Sequence, residues 1–125
     1  MKDALNILIV DDEPSVTQSL VFVLSGPKFK LTSAADGEEA LAKMDATAYP
    51  FDVVLTDNNM PRISGIELVR ELRARNFDGK ILVLSAHLSE ENTQAYQELN
   101  VDTLMPKPFD IGELRRAINA LANAA

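Results

Sequence analysis

Short apolar runs alternate with amphipathic stretches along the whole chain. Asn6-Ile7-Leu8-Ile9-Val10 is rich in β-formers and halts at Asp11-Asp12-Glu13, and Pro14 then stands where a first helical turn accepts it. The helix that follows runs to about Ser25, with Val16, Leu20, Val23 and Leu24 at helical spacing, and Gly26-Pro27 ends it. Phe29 to Ala34 reads as a second strand. Asp36-Gly37-Glu38-Glu39 is an N-cap acid with a glutamate three residues on, opening a helix that turns Ala40, Leu41 and Met44 to one side. Asp52-Val53-Val54-Leu55-Thr56-Asp57 is long enough for a strand buried on both faces, and Asn58-Asn59-Met60-Pro61 cannot continue it. Ser64-Gly65-Ile66-Glu67 is a capping box for a helix to about Arg75, carrying Ile66, Val69 and Leu72. Lys80 to Leu84 is the fourth strand, ending at Ser85-Ala86-His87, and Ser89 caps a helix through Glu98. Thr103-Leu104-Met105 makes a short fifth strand, and Asp110 caps a last helix with Leu114, Ile118 and Leu121 inward.

Five β/α pairs with apolar strands predict an α/β fold, a parallel sheet with helices on both faces and right-handed crossovers. The flavodoxin-like doubly wound order 2-1-3-4-5 brings strands one and three together at the switch point, where ligands bind. The strand ends on that edge are the polar ones: Asp11 and Asp12 after strand one, Asp57 at strand three, Ser85 at strand four and Lys107 after strand five. Helix four is expected to be held less firmly than the others, because Ala95, Tyr96 and Leu99 are its only apolar face. Arg70, Arg73 and Arg75 on helix three read as a solvated basic face.

Composition narrows the chemistry. A length of 125 residues suits one domain, 1–125, with no internal repeat or linker. No apolar run approaches the ~18 residues of a membrane span, and residues 1–6 lack the features of a secretion signal, so a cytoplasmic location without membrane attachment is expected. The absence of cysteine and the single histidine exclude thiolate catalysis and leave only oxygen ligands for a metal. Nineteen acids against twelve bases, a net charge of −7, oppose direct nucleic-acid binding. Three carboxylates at one sheet edge repel unless a cation joins them, and Mg²⁺, which takes one or two carboxylates plus phosphate oxygens, suits such a site. An ionised aspartate beside that ion is a nucleophile toward a phosphoryl group. Ser85 is then placed to hydrogen-bond a phosphoryl oxygen, and Lys107 to neutralise another. Each of these residues alone is ordinary, a turn acid, a helix cap or a surface lysine; together at one edge they point to phosphoryl chemistry.

In these motifs the chain resembles the response regulator receiver domains of two-component signalling, the CheY-like superfamily, over nearly its whole length. The likeness rests on Ile7-Leu8-Ile9-Val10-Asp11-Asp12-Glu13, Asp36-Gly37-Glu38-Glu39-Ala40-Leu41, Asp57 with Met60-Pro61 and Gly65, Ser85-Ala86, and Lys107-Pro108-Phe109. It implies that Asp57 accepts a phosphoryl group from a sensor histidine kinase, a phosphotransfer protein or a small donor. It further implies Mg²⁺ held by Asp11, Asp12, Asp57 and the Asn59 carbonyl, phosphoryl contacts from Ser85 and Lys107, and a cis bond before Pro108. Output would pass by contact to a downstream protein, or to an output domain missing from this chain. A homodimer through the helix 4 to helix 5 face is also a family trait.

The sequence departs from the family pattern at several points. Leu104 stands at the switch position where receivers usually carry an aromatic residue, so the usual relay is missing. Asn58 follows the acceptor where an apolar residue is common, Asn100-Val101 replaces Gly-Ala, and Pro106 removes a backbone donor. His87 and Asn58 border the expected site; His87, by itself an ordinary partly exposed loop residue, and Asn59 are the candidate modulators of water access and hence of dephosphorylation. Leu104 keeps an alternative open, a phosphorylation-independent interaction module of pseudo-receiver type. A phosphohydrolase acting on other substrates is disfavoured, since Asn59 stands where such enzymes place a general acid; self-phosphorylation and self-dephosphorylation are the only chemistry expected.

Overall fold

The computed structural model describes residues 5–24, 26–46, 51–58, 63–86, 89–107 and 110–123. The elements follow in strict alternation: β1 Leu5–Val10, α1 Pro14–Leu24, β2 Phe29–Ala34, α2 Gly37–Ala46, β3 Val53–Asp57, α3 Gly65–Ala74, β4 Lys80–Ser85, α4 Glu90–Glu98, β5 Thr103–Pro106 and α5 Ile111–Asn123. All four strand pairings are parallel, and the sheet order is β2-β1-β3-β4-β5, as the sequence pattern predicts. Pro106 is the last residue of β5, paired with Ser85. That extends the predicted strand by one residue, which an edge strand tolerates despite the missing donor.

Period-two alternation divides the core between two faces. Ile7, Ile9, Val53, Leu55, Leu82 and Leu84 point to one side, against Leu20 and Leu24 of α1 and Leu114 and Ile118 of α5. Leu8, Val10, Val54, Ile81 and Val83 point to the other, against Ala40 of α2, Leu68, Val69 and Leu72 of α3 and Tyr96 of α4. The central strand β3 is buried throughout, which is why its sequence is continuous rather than alternating.

Helix ends account for much of the polar sequence. Ser64 Oγ accepts the Glu67 N–H (3.3 Å) and Ser89 Oγ the Asn92 N–H (3.0 Å). Asp36 and Asp110 do the same for Glu39 (2.8 Å) and Glu113 (3.0 Å). At the other ends, Asn76 (φ 60°) and Asn100 (φ 59°) adopt the left-handed conformation. Phe77 N–H reaches Leu72 O (2.9 Å) and Val101 N–H reaches Tyr96 O (3.1 Å), closing a Schellman motif on each helix. Asn100 thus fills the position usually given to glycine because asparagine tolerates that conformation better than other side chains.

The basic face expected on α3 is not a solvated one at Arg73. Its guanidinium is partly buried and donates to Leu99 O (2.9 Å), Phe77 O (3.2 Å) and Asn100 O (2.7 Å). The carbonyls at the end of α4 lack intrahelical donors and carry the negative end of the helix dipole, so a cation from α3 is drawn there. Arg75 pairs with Asp45 at 2.5 Å and lies 3.9 Å from Glu71 on the exposed side.

Candidate functional site

The carboxyl ends of β1, β3, β4 and the segment after β5 converge. Asp57 ends β3 and is 8% exposed, so its carboxylate is largely withdrawn from solvent. Asp11, directly after β1, is buried and held from two sides: its N–H donates to Ala34 O at the end of β2 (3.1 Å) and its Oδ1 accepts the Glu13 N–H of its own turn (2.9 Å). Asp12 faces solvent. One carboxylate oxygen from each of the three lies within 4.8 Å of the others. Beside Asp11 and Asp12 an open cleft of about 280 Å³ runs between α1 and β2, lined by Thr17, Gln18, Ser33 and Glu39.

Lys107 supplies the positive charge present among these acids. Its Nζ is 2.9 Å from Asp57 Oδ1 and 3.2 Å from Asp11 Oδ2, bridging two buried carboxylates. The lysine is aimed by its backbone, since its N–H donates to Ser85 O (2.9 Å), which locks the turn after β5 to the end of β4. Ser85 itself is 1% exposed. Burial pushes the Asp57 carboxyl above its ordinary value, Lys107 opposes this, and the Asp11 charge adds to it. Burial acts to lower the Lys107 ammonium, but the Asp57 and Asp11 carboxylates outweigh it and hold the group above its usual range. One ammonium against three carboxylates leaves an excess of two negative charges on all-oxygen donors, which fits a hard divalent ion such as Mg²⁺. Asp11, Asp12 and Asp57 are the side chains that would hold it.

Five of the nine residues named from the sequence therefore meet at one edge: Asp11, Asp12, Asp57, Ser85 and Lys107. Leu104 does not join them. It is half-buried against the cluster that contains Val83 and Tyr96, on the α4 side of the sheet. Asn59, His87 and the bond before Pro108 lie outside the described residues. Asn58 is buried beside the site and bonded to α4, where the Tyr96 hydroxyl donates to its Oδ1. Sequence reasoning placed Tyr96 in the core and Asn58 at the periphery without joining them. The available signal was a polar residue after Asp57 where an apolar one is common, together with a lone aromatic in a polar helix.

Comparison with known proteins agrees with this geometry. The response regulator receiver domain family matches residues 7–119. The response regulator MprA of Mycolicibacterium vanbaalenii is 40% identical over 115 residues, 92% of this chain and 49% of MprA. The chain thus spans about half the length of the curated relatives it matches. Among solved structures, the Vibrio cholerae chemotaxis protein CheY4 superposes with a TM-score of 0.86 at 31% identity, covering 94% of this chain and 98% of CheY4. The Thermotoga maritima response regulator TrrA, solved in complex with Mg²⁺-BeF, gives 0.82 at 32% identity, with 94% and 98% covered. Sheet order, the acidic cluster with its lysine and these likenesses all agree, and the chain belongs to the response regulator receiver domain family of two-component signalling.

Proposed function

We propose that the protein is a phosphorylation-controlled switch in which Asp57 accepts a phosphoryl group and Mg²⁺ is the cofactor. The observation that carries this is the Lys107 ammonium seated 2.9 Å from Asp57 Oδ1, within a triad of carboxylates whose oxygens lie 4.8 Å apart or less. An Asp57 carboxylate oxygen attacks phosphorus and forms a P–O bond as the donor's P–N or P–O bond breaks. Imidazole leaves and takes up a proton when the donor is a phosphohistidine; acetate leaves when it is acetyl phosphate. Mg²⁺, when bound, offsets charge on the transferring oxygens. Conversion of Asp57 to an acyl phosphate moves negative charge outward from the carboxylate to the phosphoryl oxygens. Lys107 follows it as a mobile point charge, and the Ser85 hydroxyl, at the end of the neighbouring strand, donates a hydrogen bond.

The donor is a sensor histidine kinase or phosphotransfer protein acting in the cytoplasm, and output passes to a downstream protein or to an output domain; the net charge of −7 opposes attachment of this chain itself to nucleic acid. Among the described residues no helix is long and apolar enough to cross a membrane. The chain performs chemistry only on its own Asp57, a reading supported by Asn59 standing where a phosphohydrolase would carry an acid.

Intact mass after incubation with Mg²⁺ and acetyl phosphate tests the proposal. The native chain should gain one phosphoryl group, Asp57→Asn none, and chelation of Mg²⁺ should abolish the gain. No gain with acetyl phosphate or with histidine kinases would sink the proposal in favour of a phosphorylation-independent interaction module.

A further inference from the structure

Tyr96 is the single buried residue of α4, with no exposed surface, in a helix otherwise made of Glu, Asn, Thr, Gln and Ala. A buried phenol needs a partner for its hydroxyl. The partner is the Asn58 side chain, whose Oδ1 accepts the bond. Asn58 is itself buried and its main chain is fixed at both ends: the N–H donates to Leu84 O (3.1 Å) and the carbonyl accepts from Gly65 N–H (2.9 Å). The one buried side chain of α4 is therefore bonded to the residue that follows Asp57. There is no slack in this corner. A Cβ built on Gly65 would lie 2.5 Å from Tyr96 Oη, 2.7 Å from Asp57 O and 2.9 Å from Asn58 Cα, so these groups crowd one another around the start of α3. Burial, and then the Asp57 charge, push the phenol above its ordinary range, so it stays a hydrogen-bond donor at neutral pH. Leu104, also on this side of the sheet, has no hydroxyl with which to report on the site.

We infer that the Tyr96–Asn58 hydrogen bond couples the chemical state of Asp57 to the position of α4, taking the part that an aromatic side chain at position 104 would otherwise take. The inference rests on Asp57 being the phosphoacceptor. A phosphoryl group on Asp57 changes the charge and bonding at the end of β3, and the 57–58 peptide adjusts to it. Tyr96 follows Asn58, because parting would strand a buried hydroxyl and a buried amide oxygen away from water. The helix α4 follows Tyr96, because no other side chain of that helix is fully buried. Tyr96 is thus a positioning residue, acting on α4 through Asn58 and not on the reacting atoms.

The test is backbone amide hydrogen exchange across Glu90–Glu98 in the native chain and in Tyr96→Phe, each without ligand and with Mg²⁺ plus beryllofluoride, the acyl-phosphate mimic. Intact mass with acetyl phosphate is followed in parallel. Both proteins should take up one phosphoryl group. Ligand should change α4 exchange in the native chain by about tenfold, and in Tyr96→Phe by less than about threefold, the scale of one lost buried hydrogen bond. A hydrogen bond that merely holds α4 down would, when lost, speed exchange equally with and without ligand and leave the ratio intact. Asn58→Ala breaks the same bond from its other end and should reproduce the reduced ratio. A native ratio in Tyr96→Phe, or a native α4 indifferent to ligand, overturns the coupling while leaving the phosphoacceptor in place. A native chain that takes up neither a phosphoryl group nor beryllofluoride overturns the receiver chemistry, and the coupling with it.

Discussion

Substituting Gly65 by alanine sets two terms of opposite sign against each other. In a helix interior alanine is favoured over glycine by about 1 kcal/mol, which is the upper limit of the gain at Gly65, the first residue of α3. Here the added methyl would meet Tyr96 Oη at 2.5 Å, Asp57 O at 2.7 Å and Asn58 Cα at 2.9 Å, and two of these are main-chain atoms that cannot rotate aside. Overpacking of a dense site costs about 1–3 kcal/mol, and three contacts this short, two of them to backbone, place the cost at the upper end. The clash therefore exceeds the propensity gain by about 2 kcal/mol. With an unfolding entropy of about 2.1 cal/mol/K per residue, that lowers Tm by about 8 °C in this chain. Thermal and urea unfolding followed by far-UV circular dichroism measure both quantities. The displaced backbone carries Asp57, so phosphorylation by acetyl phosphate should also slow by about tenfold or more. Combining Gly65→Ala with Tyr96→Phe removes one of the three contacts and leaves the two main-chain ones, so most of the loss should remain. A Gly65→Ala protein as stable as the native chain would refute the close approach of α3 to the end of β3.

Two further outcomes follow from the same geometry. In the presence of a chelator Asp57→Asn should be more stable than the native chain at pH 7. Burial raises the Asp57 carboxyl in the folded state above 3.8, against Lys107 and with Asp11, so ionising it costs more in the native state than in the unfolded chain, and only between the two values does the native state hold the extra proton. Stability from this group accordingly falls as pH rises through the folded value, and the advantage of the asparagine should vanish below about pH 4; an advantage independent of pH would refute the cause. Arg73→Ala removes three hydrogen bonds to Phe77, Leu99 and Asn100 carbonyls and should cost about 1–3 kcal/mol in urea unfolding, with Arg73→Lys recovering only part because a lysine cannot span three acceptors.

The sequence alone determined the elements, because each depends on local chemistry, and it pointed to the sheet order through the polar residues gathered at four strand ends. Apolar runs of strand length, helical spacing of leucines and acids or serines three residues before a capped N–H are visible within a window of a few residues, and β/α alternation leaves few topologies to choose from. It also brought Asp11, Asp12, Asp57, Ser85 and Lys107 to one edge, since a strand's carboxyl end is legible wherever an apolar run stops on a polar residue. What lay beyond it were contacts between side chains distant along the chain. That Lys107 bridges Asp57 and Asp11, 96 positions from the latter, depends on the packing of β5 beside β4. Arg73 was legible as a cation on α3 but not as the cap of α4, because its acceptors are carbonyls, which carry no sequence signature. Asn58 and Tyr96 are 38 residues apart, and only the docking of α4 on the sheet makes one the partner of the other. Local periodicity fixes the elements and their succession along the chain, whereas the pairing of buried polar groups is fixed by packing in three dimensions.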